Sequence, residues 1–224
     1  MPPPSPGAPS LLVCTRFGLR VRDRGWLVHR LALISAITAP SLLSQQDQCF
    51  HWVILIEDGL PQDIREDLER IIRPFGTRAS LYRREHHSSE TLVEMVEGQG
   101  LLGDSQYLLS GRIDDDDAWS TTMVGAVRRR VASWLEQPDR APGISLTFQD
   151  GLEWVMYEML DVERLIDHGE RLVHTPAIRK YRMPFISMSV FVCSSLSDGI
   201  TAMAGAHSRM AEQLTSIHRF HPAG

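Results

Sequence analysis

Several residue types are scarce in this chain of 224 residues, and their scarcity argues against particular functions and kinds of site. Lys180 is the only lysine, and arginine supplies the remaining positive charge. The formal net charge is −5, so the chain lacks the overall positive field that favours nucleic-acid binding. Its three cysteines form no CxxC pair, which argues against a cysteine metal site. Their odd number predicts reduced thiols, and we expect a cytoplasmic protein.

Long apolar runs are also missing. The longest stretch, residues 27–43, is interrupted by His29, Arg30 and Pro40, so we expect no transmembrane segment. Residues 1–10 are rich in proline and have neither the basic nor the apolar part of a signal peptide, which predicts a disordered leader. With 43% hydrophobic residues, the rest of the chain, 11–224, is long enough to fold as a single domain.

Strand and helix patterns alternate in the first half of the chain. Short runs rich in apolar residues predict strands, and repeats at helical spacing predict helices between them. The predicted strands are 11–15, 51–56, 79–82 and 106–113, and the predicted helices are 24–39, 61–72, 90–98 and 121–136. This alternation predicts an α/β fold with a mostly parallel central sheet and helices on both faces.

The pattern changes after Pro142. Residues 144–148, 153–157 and 186–192 look like strands without long helices between them, and 205–218 looks helical. We therefore expect one domain with an α/β half of nucleotide-binding type, 11–140, and a more mixed half, 141–224.

Four consecutive carboxylates, Asp114 to Asp117, follow the predicted strand 106–113. Adjacent negative charges repel one another unless a cation or good solvation relieves them. In a strand, alternate side chains share a face, so Asp114 and Asp116 would point the same way. Such an oxygen-rich site suits Mg²⁺ or Mn²⁺, which usually keeps water and takes further oxygens from a substrate phosphate.

Other polar residues follow the predicted parallel strands. Thr15 and Arg16 end the first strand, and Asp58 follows the second. Ligands of open α/β sheets bind outside the carboxyl ends of the strands, so these residues and the aspartates are expected around one crevice. Arginine pairs with phosphate, and Asp58 can accept from a ribose or base. The set suits a nucleoside diphosphate.

The order of these motifs resembles that of GT-A type glycosyltransferases. The sequences PSLLSQ (40–45) and FHWVILIEDG (50–59) are similar to the opening of that fold, and RIDDDDA (112–118) occupies the place of its DxD motif. Together with Thr15-Arg16-Phe17, Trp26 and Arg30, they resemble a bacterial rhamnosyltransferase family. The similarity runs from about Val13 through the aspartates and fades after Pro142.

This resemblance implies a GT-A like enzyme that moves a sugar, such as the deoxyhexose rhamnose, from a nucleotide donor to an acceptor hydroxyl. It implies Mn²⁺ or Mg²⁺ on Asp114 and Asp116, with Asp117 as the alternative ligand and His207 as a late metal ligand. Arg112, Asp114 and Asp115 would contact the donor. The acceptor, whether a glycan, a lipid-linked sugar or a small molecule, stays open.

An inverting transfer also needs a base near the acceptor hydroxyl. Asp150 and Glu153, beside Trp154, are the candidates, whereas a retaining mechanism would need no such base. Two other functions stay open. One is a different Mg²⁺ enzyme acting on phosphate or diphosphate, although a haloacid-type phosphatase carries its acidic motif after the first strand. The other is a non-catalytic cation-binding module.

Overall fold

The computed structural model describes residues 9, 11–84, 96, 107–140, 143–147, 150–155, 177–182 and 190–195. The expected leader, apart from Pro9, lies outside these residues. So do the predicted helix 90–98, apart from Val96, and the predicted helix 205–218, together with His207.

The central sheet has six strands in the order β3-β2-β1-β4-β8-β5. Strands β1 to β4 are parallel, and β8 is antiparallel to both β4 and β5. A separate antiparallel pair is formed by β6 and β7. The bounds are β1 Leu11–Arg16, β2 Phe50–Glu57, β3 Ala79–Arg84, β4 Tyr107–Arg112, β5 Gly143–Thr147, β6 Asp150–Val155, β7 Ala177–Arg182 and β8 Val190–Ser195.

The α-helices that the described residues cover in full are α1 Arg24–Leu33, α2 Ala39–Leu43, α3 Gln62–Ile72 and α4 Met123–Leu135. A π-helical turn, Ile34–Thr38, joins α1 to α2, and a 3₁₀ turn, Arg73–Arg78, follows α3. The predicted α/β fold and its parallel sheet are confirmed. Strand β7 was not predicted, and β6 begins three residues earlier than the predicted strand 153–157.

Successive strand residues point to opposite sides of the sheet, and other parts of the chain cover both sides. On one face, Leu11 and Val13 join a large core with the buried residues of α1, α3 and α4. On the other face, Leu12 and Val53 pack against Val96, which is helical. Each buried aliphatic side chain contributes about 1.5–3 kcal/mol, so a one-residue slip of the register would expose a whole face.

The strand order places a switch point between β1 and β4. The chain adds β2 and β3 on one side of β1 and then crosses to add β4 on the other side. Where the order reverses, the loops at the carboxyl ends of the two neighbouring strands leave in opposite directions and open a crevice. Arg16 ends β1 and Arg112 ends β4, so both arginines lie at this crevice.

The prediction that Pro40 ends the first helix is wrong. The helical stretch continues to Leu43, because the turn before the proline is a π-turn. The N–H of Ala39 donates to the carbonyl of Ile34, five residues back. Proline has no N–H and its ring normally clashes with the carbonyl four residues earlier, and the wider turn makes room for it. Pro40 then lies in the first turn of α2, where proline is tolerated.

This stretch, Arg24–Leu43, is also 20 residues long, and an 18-residue window within it has a mean hydropathy of 1.4, which by length and composition is enough to cross a membrane. The interruptions by His29, Arg30 and Pro40 therefore do not disqualify it on those criteria. In the fold, Leu27, Ile34 and Leu42 are fully buried in the core. These are the contacts of a helix that packs on the sheet.

Gly111 leaves room for the ring of Phe191 between β4 and β8. It pairs with Phe191, and a Cβ atom at position 111 would lie 2.5 Å from the ring of that phenylalanine. The same ring packs against Trp119 at a centroid distance of 5.1 Å. Phe191 therefore holds both the strand that precedes the aspartates and the segment that follows them.

We predict that Gly111→Ala lowers the free energy of unfolding by about 1–3 kcal/mol, because the added methyl group overpacks this contact. Urea denaturation monitored by circular dichroism measures the change. In a Phe191→Leu background the loss should shrink. Gly125→Ala is the control, since that position is helical and its Cβ would approach the flexible end of Arg129, at 3.2 Å, and otherwise make ordinary contact with Asp47, at 3.6 Å. An equal loss in both glycine variants would contradict the prediction.

Candidate functional site

The four aspartates form a turn at the carboxyl end of β4, which we call the acidic turn (Asp114, Asp115, Asp116 and Asp117). The N–H of Ile113 still pairs with the carbonyl of Cys14 in β1, at 3.1 Å. Beyond it the chain turns, and the N–H of Asp117 donates to the carbonyl of Asp114 at 3.2 Å. The expectation that strand alternation aligns Asp114 with Asp116 is therefore wrong. The turn sets the directions of the side chains instead.

Arg30 of α1 holds two of the four carboxylates. Its Nη1 donates to Asp116 at 2.7 Å, and its Nη2 donates to Asp115. The side chains of Arg30 and Asp115 are only 18% and 6% exposed. The hydrogen bond with Asp115 is the main cause of a raised pKa of Arg30, so the guanidinium stays charged. Arg30 also lies 5.4 Å from the ring centre of Trp26, one turn earlier in α1.

Asp114 is held by different groups. Arg112 donates to it from Nε at 2.9 Å and from Nη2 at 2.6 Å, and the hydroxyl of Thr38 donates to its backbone carbonyl at 3.3 Å. Arg16, at the end of β1, lies in the same electrostatic environment. Partial desolvation lowers the pKa of Arg16, the nearby Arg112 lowers it further, and Asp114 raises it. The switch point therefore brings together Arg16, Arg112 and Asp114, as the sequence predicted.

Asp117 is the least compensated member of the acidic turn. Desolvation, followed by the charges of Asp114 and Asp116, raises its pKa to about 6. The two neighbouring carboxylates thus raise the pKa of Asp117 more than Arg112 lowers it. A cation near these three side chains would relieve the repulsion.

The donor set fits a hard cation only in part. Among the described residues, no three carboxylate, histidine or cysteine side chains converge as a ready-made metal site. Mg²⁺ and Mn²⁺ commonly use one or two protein carboxylates and complete their shell with water and phosphate oxygens. Asp114, Asp116 and Asp117 are close enough to supply such a pair. One oxygen of Asp115, Oδ2, is buried and has no partner within the described part of the chain.

Gln45 fixes the other end of the segment that carries the acidic turn. Its Nε2 donates to the carbonyl of Ser120 at 2.8 Å, and its Oε1 accepts from the N–H of Val124 at 3.1 Å. The backbone N–H of Gln46 also donates to Thr121 at 2.8 Å. Arg30 and Gln45 both belong to the motifs that carry the family resemblance, but the sequence alone did not predict which residues they contact.

Two other predicted residues lie apart from the acidic turn. Thr15 is fully buried, and its hydroxyl accepts from Nε1 of Trp52 at 2.9 Å. Its side chain faces the core rather than the crevice, so its predicted contact with the nucleotide has no geometric support. Asp58 lies in the turn after β2, where its exposed carboxylate pairs with Arg83 at 3.1 Å. It lies on the β2–β3 side of the crevice.

The two candidates for the base, Asp150 and Glu153, lie within β6 rather than in a turn. They are in register with Arg182 and Arg179 of β7. The candidate metal ligand His207 lies outside the described residues. Their roles stay predictions.

Glu57, at the end of β2, is a buried acid to which the sequence reasoning gave a place beside Asp58 but no role. It accepts from the backbone N–H of Arg20 at 2.8 Å and from the side chain of Arg22 at 3.2 Å. It thereby fixes the loop between β1 and α1 beside the crevice. Its place at the carboxyl end of a buried strand was the available signal.

We predict that Asp117→Asn stabilises the metal-free protein at neutral pH. A folded pKa of about 6 lies above the unfolded value of 3.8, so the ionised carboxylate destabilises the fold. This penalty is absent below about pH 4, grows as the pH rises, and is complete above about pH 6. Melting in EDTA should show a rise of a few degrees at pH 7.5 and almost no change at pH 4.

Asp115→Asn provides the contrast, because it removes a charge from the buried pair with Arg30 and should lower the melting temperature at pH 7.5. A lower melting temperature for Asp117→Asn at that pH would contradict the prediction.

Comparison with known proteins places this site in a family. The sequence model of the family described as "Putative rhamnosyl transferase" matches residues 20–221. The match continues well beyond Pro142, where the resemblance read from the sequence fades. No curated protein matches the chain. Since the matched region spans most of the 224 residues, the chain belongs to this rhamnosyl transferase family of glycosyltransferases.

Proposed function

We propose that this protein transfers a sugar, a deoxyhexose such as rhamnose, from a nucleoside-diphosphate donor to an acceptor hydroxyl with the help of a divalent cation. One observation carries the proposal: the acidic turn and two arginines meet at the switch point of the parallel sheet. Crevices of this kind are where open α/β sheets bind nucleotides. Family membership favours sugar transfer over phosphate hydrolysis or simple cation binding.

The arginines supply the first part of donor binding. Arg16 ends β1 at the crevice, and its guanidinium can pair with two oxygens of a diphosphate. Arg112 is already engaged with Asp114, so it orients that carboxylate. Asp58, on the far side of the crevice, is proposed to accept from the ribose or the base.

The acidic turn supplies the second part. Asp114 and Asp116, or Asp117 in place of one of them, are proposed to hold Mn²⁺ or Mg²⁺. When bound, the ion would neutralise the negative charge that develops on the departing diphosphate. Asp115 stays with Arg30 and keeps the turn in shape. The relief of repulsion at Asp117 favours a cation at this place.

The acceptor side is proposed to come from the second half of the chain. Asp150 or Glu153 of β6 would remove the proton from the acceptor hydroxyl in an inverting transfer. The acceptor is proposed to be a glycan, a lipid-linked sugar or a small molecule, and the location of the protein to be cytoplasmic.

We predict that one nucleotide raises the melting temperature in a Mn²⁺-dependent manner when UDP-, GDP- and dTDP-linked ligands are compared. A ligand that binds only the folded state stabilises it by mass action. Asp116→Ala should abolish this shift and leave the circular dichroism spectrum unchanged, and Asp114→Ala should do the same. Asp67→Ala, on the exposed side of α3, is the matched control and should keep the full shift. Retention of the shift in both site variants would remove the acidic turn from the proposal.

We predict that Arg16→Gln weakens binding of the same nucleotide about ten- to a hundredfold while the Mn²⁺ dependence persists. The variant removes a charged contact to phosphate but leaves the carboxylates in place. Isothermal titration with and without Mn²⁺ measures both effects. Arg70→Gln is the control, because this exposed arginine pairs only with Asp67 of its own helix α3 among the described residues. An unchanged dissociation constant would place Arg16 outside the donor site.

A further inference from the structure

Gln45 is buried, with 4% of its surface exposed, and its side-chain amide has three partners on two elements. Its Nε2 donates to the carbonyls of Ser41 and Ser120, at 3.0 and 2.8 Å, and its Oε1 accepts from Val124 at 3.1 Å. Both N–H groups of the amide are therefore used. A buried amide with its donors and acceptor satisfied has one orientation, since any rotation leaves polar groups without partners.

Gln45 contacts residues that follow the acidic turn in the chain. Ser120 lies three residues after Asp117, and Val124 lies in the first turn of α4. The entry of the turn is held by Thr38, which bonds the carbonyl of Asp114. Residues 114–120 are thus anchored at one end to the helical stretch, through Thr38, and at the other end to Gln45, just beyond the end of α2, and the carboxylates lie between the two anchors.

We infer that Gln45 is a positioning residue: it holds the segment 114–120 so that the carboxylates of the acidic turn keep the arrangement needed for cation and diphosphate. The functional part of this inference rests on the proposed function. Gln45 acts through the backbone of Ser120.

A second contact joins the same two elements and gives a matched comparison. Arg128 of α4 donates to Asp47 at 2.7 Å, and the two side chains are only 10% and 17% exposed. This pair ties α4 to the residues after α2, as Gln45 does, but it makes no contact with the segment 114–120. A role limited to general stability predicts the same behaviour for both contacts. A positioning role predicts that only Gln45 matters to the acidic turn.

The test compares Gln45→Met with Arg128→Met in the full chain. Methionine matches glutamine in length, keeps most of the apolar stem of arginine, and removes the hydrogen bonds of both. Hydrogen–deuterium exchange of peptides covering residues 113–122 is the first readout, and titration with MnCl₂ alone is the second. In Gln45→Met we expect exchange in this segment to accelerate about five- to tenfold and Mn²⁺ affinity to fall by a similar factor. In Arg128→Met both should stay at wild-type levels, although the melting temperature falls.

Equal exchange of this segment in the two variants would overturn the inference. So would faster exchange in Gln45→Met with unchanged Mn²⁺ affinity, because the segment would then move without consequence for the site. If the wild-type protein binds no Mn²⁺, the cation part of the proposed function fails, and the exchange comparison alone decides whether Gln45 holds the segment.

Discussion

The site depends on the ion pair between Arg30 and the two central carboxylates of the acidic turn. Asp115 is almost completely buried, and a buried carboxylate without a counter-charge would strongly destabilise the fold. One guanidinium neutralises Asp115 and binds Asp116 as well, so it fixes the turn. The remaining charge is left at Asp114 and Asp117, on the side where Arg16 and Arg112 lie. The pair thus stabilises the fold and leaves part of the acidic turn open to a ligand.

The π-turn explains how one helical stretch reaches the whole segment. In a regular α-helix, each residue rotates by about 100°, so residues seven apart share a face and residues eight apart do not. Arg30 and Thr38 are eight apart, and the π-turn between them absorbs one residue, which returns Thr38 to the face of Arg30. Gln45 follows seven residues after Thr38. Arg30 and Thr38 therefore both contact the acidic turn, and π-turns of this kind are frequent at functional sites. Gln45, two residues beyond the end of α2, contacts the segment that follows the turn.

The sequence predicted what depends on local periodicity and missed what depends on distant partners. Strands β1 to β4 and the carboxyl-end rule placed Arg16 and the aspartates at one crevice, because burial patterns and strand direction are local properties. The partner of Asp116 lies 86 residues away in the chain, and no spacing rule connects them. The turn after β4 was read as a strand continuation, which gave the wrong pairing of side chains. The hydroxyl of Thr15 was assigned to the crevice, although the sheet's alternation turns it toward Trp52.

The charges at the switch point explain why a cation belongs in the proposal. Four carboxylates meet three guanidiniums, Arg16, Arg30 and Arg112, so the site is already slightly negative before a diphosphate arrives. Arg30 cannot exchange its ion pair with Asp115 for one with the phosphate, because Asp115 would then be buried without a counter-charge. Arg112 is likewise occupied by Asp114, which leaves Arg16 as the arginine at the crevice with no carboxylate bonded to it in the described structure. Under the proposed function, a divalent ion held by the acidic turn would supply the missing positive charge without dismantling the pair on which the turn depends.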